Sequence, residues 1–229
     1  MLYPISQYLY LAAATFVFVG LITPMMRKIA LRIGAVDAPT IARMSQKEPI
    51  PYLGGVAIFI GVFVATYTTV FVKEKNIGLA STVLIPAAIM AIMGLVDDLR
   101  GLDPWPRLII QTIVGIGVSG ILISTKTIGT PSHIFIIDAF ITTLWIVSVS
   151  NSINFFDNLD GGAAGTVTVI SVFIFLIAYD RGQLMISALS IVTAGATAGF
   201  LIWNRPPAKI YMGDAGALFL GIIVAVLTI

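Results

Sequence analysis

Cysteine is absent from the 229 residues, so disulfides and thiolate-bound metals are excluded. Histidine occurs once, at His133, which leaves no histidine cluster with zinc spacing. Charge is scarce as well: Asp, Glu, Lys and Arg make up 10% of the chain, against roughly 25% in soluble domains. So few charges cannot clothe a globule in water. The formal net charge of +2 is too small to point to nucleic acid. Neither a Walker-type glycine loop nor a G-x-S-x-G turn is present. The first apolar run lacks a basic stretch ahead of it and an A-x-A-like site behind it, and is read as a retained helix rather than a cleaved signal.

What is there is apolar: 58% of residues are hydrophobic and the mean hydropathy is +1.02. A helix needs about 20 apolar residues to cross a bilayer. Runs of that kind fall near 7–26, 53–72, 78–96, 108–125, 134–150, 166–179, 184–203 and 215–229. They predict an all-α, polytopic transmembrane helical bundle of about eight spans, forming one domain over 1–229. The sixth run is short and the eighth stops at the last residue, so neither is secure as a full span by length. Tyr179 and Trp203 fall where interfacial aromatics anchor spans.

Loops after the odd-numbered spans hold Arg27, Lys28, Arg32, Arg43, Lys47, Arg100, Arg107, Arg205 and Lys209, nine of the 13 basic residues. The positive-inside rule puts those loops in the cytoplasm and the N-terminus outside. That rule counts bases only, yet eight of the 11 acids gather on the same side: Asp37, Glu48, Asp97, Asp98, Asp103, Asp157, Asp160 and Asp214. The coincidence points to one interfacial site. His133 falls on the other side.

Four segments carry chemistry. Asp97 and Asp98 end the third span as adjacent carboxylates. They either mark the water boundary or, raising one another's pKa, hold a divalent cation or take a proton. Asn151, Asn154, Asp157 and Asp160 recur every third residue, which on a helical turn stacks them on one face. Four polar groups in line at a membrane helix end are costly without a ligand, and Gly161 and Gly162 beside them leave the backbone open to one. The alternative is an Asn/Asp-capped helix start. Asp214, between two glycines, is either an N-cap or a ligand for Mg²⁺, which favours oxygen donors. Gly54 and Gly55, after Pro49 and Pro51, give either a side-chain-free approach for a substrate or close helix packing. Lys47, just before them, supplies a point charge for a phosphate.

Together and in order, P-x-x-G-G (Pro51 to Gly55), G-x-x-D-D-x-x-G (from Gly94), N-x-x-N-x-x-D-x-x-D-G (from Asn151) and N-x-P-P-A-x-I-x-M-G-D-x-G (from Asn204) resemble the polyprenyl-phosphate N-acetylhexosamine-1-phosphate transferases, glycosyltransferase family 4. The Pro206-Pro207-Ala208 stretch is more similar to the WecA/TagO branch than to MraY. The resemblance implies transfer of N-acetylhexosamine-1-phosphate, with GlcNAc-1-phosphate as the expected group, from a UDP-sugar to polyprenyl phosphate. UMP is released, Mg²⁺ (or Mn²⁺) is the cofactor, and the active site lies on the cytoplasmic face of a bacterial plasma membrane. By resemblance, Asp214 would hold the metal and Asp97 would act as base or orienting group, with Asp98 beside it. Asn154, Asp157 and Asp160 would complete the catalytic set. Gly161 and Gly162 would border the nucleotide pocket, with Tyr211 stacked on uracil.

The sequence departs from the family pattern at Met44 and Gln46, at Gly162, where Leu is usual, and at Ala215 and Ala217, where Ser is common. The family's C-terminal spans and histidine-rich loop have no counterpart, so the chain is expected to be C-terminally truncated. A non-catalytic homologue on the same scaffold therefore stands as an alternative. A cation-coupled transporter is a second alternative, although no inverted repeat is evident and the acids sit at span ends rather than at the midplane. The oligomeric state is left open, a homodimer being one arrangement.

Overall fold

The computed structural model describes residues 3–37, 49–73 and 77–229. Eight helices follow one another: α1 (Ile5–Ile33), α2 (Gly54–Lys73), α3 (Ile77–Arg100), α4 (Pro104–Ser124), α5 (Phe135–Phe156), α6 (Gly162–Asp180), α7 (Leu184–Asn204) and α8 (Gly213–Leu227). Six of them are long and apolar enough to cross a membrane, while α2 over Gly54–Thr69 and α8 are shorter apolar helices. The chain is a multi-pass membrane protein. Among the described residues the one departure from an all-α fold is a two-stranded antiparallel sheet, β1 (Val36–Asp37) with β2 (Ile50–Pro51).

The eight expected runs all become helices, but their ends move. The sixth is 19 residues rather than about 14, because Gly162, Ala163, Ala164 and Gly165 belong to its first turn. More important, α3 continues through Asp97 and Asp98, and α5 through Asn151 and Asn154. Backbone and side-chain partners within the protein satisfy those polar groups, so hydropathy ends before the helix does.

α8 lies at the centre, buried along nearly all its length between α3 and α5. A helix apolar on every side with no polar stripe belongs in such a core. α7 is the other buried helix and rests on α1 and α6. In a membrane no hydrophobic force drives helices together, so small residues and polar ties do so. Gly195 and Gly199 meet the backbone of Ala12 and Phe16 on α1 so closely that neither has room for a Cβ. Thr168 and Thr197 join α6 to α7 through their hydroxyls at 2.7 Å, and Ser119 and Thr143 join α4 to α5 at 3.1 Å. Trp203 Nε1 donates to the Gly20 carbonyl at 2.9 Å, and Tyr179 packs edge-on to Tyr8. Both aromatics expected at the lipid interface are therefore half-buried ties to α1.

Candidate functional site

α8 starts with backbone N–H groups that have no partner inside the helix. Two aspartates from other helices take the first three. Asp98 Oδ1 accepts from the Asp214 N–H at 2.8 Å and Asp98 Oδ2 from the Ala215 N–H at 3.1 Å. Asp157 Oδ2 accepts from the Gly213 N–H at 3.0 Å. Anions there also meet the positive end of the helix dipole. Gly213 has φ +74°, and a Cβ on it would lie 2.7 Å from Asp98 Oδ2, so both the backbone and the carboxylate require glycine. Gly94, one turn before Asp98, touches the Asp214 backbone with no space for a side chain. That close approach lets so short a side chain reach across.

Asp97 points elsewhere. Consecutive residues on a helix diverge by about 100° at 3.6 residues per turn, so the two adjacent carboxylates turn to different partners. Asp97 Oδ1 accepts from the Leu102 N–H at 2.7 Å, pinning the turn between α3 and α4. Asp97 Oδ2 lies 2.8 Å from Arg107 Nη1, and the same nitrogen lies 3.2 Å from Asp214 Oδ2. Arg107 Nη2 donates to Asn154 Oδ1 at 3.4 Å, and Asn154 Nδ2 donates to Asp214 Oδ1 at 2.6 Å. Arg107, Asn154 and Asp214 thus close a ring that Asp97 joins through Arg107, so that four side chains from α3, α4, α5 and α8 meet. The Asp97 side chain is 6% exposed, whereas Arg107 and Asp214 are each 25% exposed and within reach of a ligand. Among the described residues no three Asp, Glu or His side chains are disposed to hold a metal ion together.

Asp157 and Asp160 have structural partners. Asp157 caps the end of α5 rather than continuing its face. Burial pushes its carboxyl well above the usual 3.8, against the opposing pull of the Gly213 N–H, and its Oδ1 is buried with no hydrogen-bond partner. Asp160 Oδ2 accepts from the Ala208 N–H at 2.9 Å. Buried Asn204 accepts from the Gly161 N–H at 3.1 Å and donates to the Ile210 carbonyl at 3.0 Å. Asp160 and Asn204 together clamp the 205–212 loop to the turn after α5. Asn151 leaves the line altogether, donating to Gln111 Oε1 and the Val147 carbonyl. The every-third-residue spacing is therefore not one helical stripe, because α5 ends at Phe156.

Of the two readings open for Gly54 and Gly55, the structure shows the close packing. Gly54 lies against the Phe200 ring and the Tyr211 carbonyl, and Gly55 against the backbone of Gly216. Their N–H groups donate to the carbonyls of Tyr211 and Met212 at 2.9 and 2.8 Å, which fastens the start of α2 to the approach to α8. Gly162 faces the Phe156 carbonyl of its own turn, while Gly161, at φ +73°, provides the left-handed residue before α6. Tyr211 is half-buried, with its backbone N–H bound to the Pro51 carbonyl at 2.8 Å. Lys47, like Arg43, lies outside the described residues.

The family model for glycosyl transferase family 4 matches residues 80–229, which covers the whole ring. The chain belongs to that family. A probable undecaprenyl-phosphate N-acetylglucosaminyl 1-phosphate transferase of Bacillus subtilis is 35% identical over 217 residues, covering 91% of this chain and 59% of that protein. A decaprenyl-phosphate N-acetylglucosaminephosphotransferase of Mycolicibacterium smegmatis is 31% identical, covering 88% of this chain and 54% of its own length. A phospho-N-acetylmuramoyl-pentapeptide-transferase of Streptococcus thermophilus is 30% identical, covering 80% of this chain and 59% of its own length. This glycosyl transferase family 4 chain thus spans little more than half the length of these relatives.

Within this family-4 site, sequence reading assigned no role to Arg107 or Asn204. Arg107 enters that reading only through the charge bias of the loops. One signal was available: a base in the first turn of a helix, just after Pro104-Trp105-Pro106, opposes the helix dipole and calls for carboxylate partners. Asn204 ends an apolar span, where a buried amide has to be hydrogen-bonded.

Proposed function

We propose that this family-4 chain transfers N-acetylhexosamine-1-phosphate, with GlcNAc-1-phosphate as the first candidate, from a UDP-sugar to polyprenyl phosphate, releasing UMP. One observation carries the reading. The Asp97–Arg107–Asp214–Asn154 cluster sits at one end of the bundle, beside an open apolar groove. That groove, about 460 Å³, runs between α4 and α5 from Leu108, the residue after Arg107, past Thr112, Ile116 and Leu144 to Phe135. A lipid phosphate arriving along the membrane would bring its chain against this groove and its charge to Arg107. The names of the relatives supply the acceptor class, undecaprenyl or decaprenyl phosphate. Phosphoryl transfer asks the protein mainly for positioning and charge stabilisation.

The donor set also suits Mg²⁺, which takes one or two carboxylates and completes its shell with water and substrate phosphate. Asp97 and Asp214 would hold it: both offer hard oxygens, and an arginine nitrogen already bridges them. When bound, it would supply positive charge against the diphosphate. Asn154 would orient the Asp214 carboxylate by its hydrogen bond, and Asp98 and Asp157 would hold the start of α8 so that Asp214 faces the ring. The charge bias of the loops supports a cytoplasmic site in a bacterial plasma membrane. The test is direct: purified protein with undecaprenyl phosphate and radiolabelled UDP-GlcNAc should give labelled lipid and UMP only with Mg²⁺. A panel of UDP-N-acetylhexosamines that yields no labelled lipid overturns the reading.

A further inference from the structure

Arg107 Nη1 touches one oxygen of Asp97 and one of Asp214, at 2.8 and 3.2 Å, and so stands where any cation shared by these two carboxylates would stand. It is not held there rigidly. Its third contact, to Asn154 Oδ1, is long at 3.4 Å, and a quarter of its side chain is exposed. The other two nearby carboxylates are engaged on the backbone of α8 and do not share the guanidinium charge. Arg107 is therefore the one cation that Asp97 and Asp214 share among the described residues, and two cations cannot occupy the same gap.

From this we infer that Arg107 is an exchangeable counterion of the Asp97–Asp214 pair, displaced when a divalent cation enters and freed to face an anionic phosphate. The inference rests on the metal-dependent transferase reading above and adds a competition that the reading does not require. Coupling follows: a phosphate that gives Arg107 a new partner makes cation entry easier, and the reverse holds by linkage. Arg107 thereby acts as a positioning residue, keeping the two carboxylates compact and mutually compatible until substrate and cation arrive together.

The experiment measures Mn²⁺ binding to the 229-residue protein in detergent, by electron paramagnetic resonance of the free ion and without substrate. Arg107→Gln and Arg107→Met both remove the charge, so either suffices if the other does not fold. Each should bind Mn²⁺ more tightly than wild type, by roughly tenfold or more, because a contact repulsion in a partly dry site has gone. Arg107→Lys keeps a charge and should stay close to wild type. Asp214→Asn should abolish binding in every background. If the neutral variants bind equally or more weakly while Asp214→Asn still abolishes binding, the counterion inference falls and the metal reading stands. If no variant shows Asp214-dependent binding, the metal part of the functional reading falls and takes the inference with it.

Discussion

Asp98 caps Asp214: its carboxylate on α3 accepts the Asp214 backbone N–H at 2.8 Å, 116 residues away in the chain, and the Ala215 N–H at 3.1 Å. A residue read from its motif as catalytic thus builds the start of the helix that presents the ring carboxylate. Asp98→Ala should lower stability by about 2 kcal/mol, the upper range for losing an N-cap. Asp98→Asn keeps one acceptor and should lose less. Thermal unfolding in detergent, followed by circular dichroism, would check the order.

Asp214→Asn should behave in the opposite way. Its side chain is partly exposed and makes no bond within α8, so melting should stay near wild type. Turnover should fall by about 10²-fold or more, as when one preorganised charge contact is removed from a transition state. Radiolabelled transfer assays on the folded variant would measure this, and full turnover would remove Asp214 from the proposed metal role.

Gly55 meets the backbone of Gly216 with no space for a methyl group, whereas nothing lies within 4 Å of a Cβ at Gly165. Gly55→Ala should therefore cost about 1–3 kcal/mol by overpacking, while Gly165→Ala should be neutral or slightly stabilising through helix propensity. Equal melting temperatures for the two variants would contradict the packing assignment.

Asp157 gives a pH dependence. Burial raises its folded-state pKa above the ordinary 3.8, so the folded chain keeps a proton that the unfolded chain has lost. Its protonation stabilises the fold fully below the ordinary value, and that contribution is lost as pH rises through the raised one. In the absence of metal, the melting temperature of wild type relative to Asp157→Asn should fall as pH climbs from about 4. A difference that does not change with pH would refute the shift.

The absence of cysteine makes topology measurable without a background. Asn158→Cys lies at the ring end of the bundle and Gly129→Cys lies beyond the other end of α4, both exposed. An impermeant maleimide applied to intact cells should label the second and spare the first. The reverse pattern would invert the proposed orientation.

The membrane bundle was legible because its signal is additive. Each apolar run is long, and no neighbour is needed to read it. The gathering of acids at one end was legible too, since alternating spans carry alternate loops to the same side. The partition among those acids was not. Asp97 and Asp98 are identical in type and adjacent, yet one faces Arg107 and the other the backbone of α8. Only the rotation of α3 against α8, set where Gly94 touches Asp214, separates them. The pairs Pro51-x-x-Gly54-Gly55 and Gly161-Gly162 were ambiguous for a related reason: a missing side chain makes room equally for a ligand or for protein.

Hydropathy, length and charge bias, all local or summed along the chain, determined by themselves that this is a multi-pass helical protein with acidic motifs at the ends of its spans. Which carboxylates form the ring and which build its frame was decided only in the assembled bundle. Hydrogen bonds of about 3 Å depend on helix rotation and approach, and residues from four helices set those jointly.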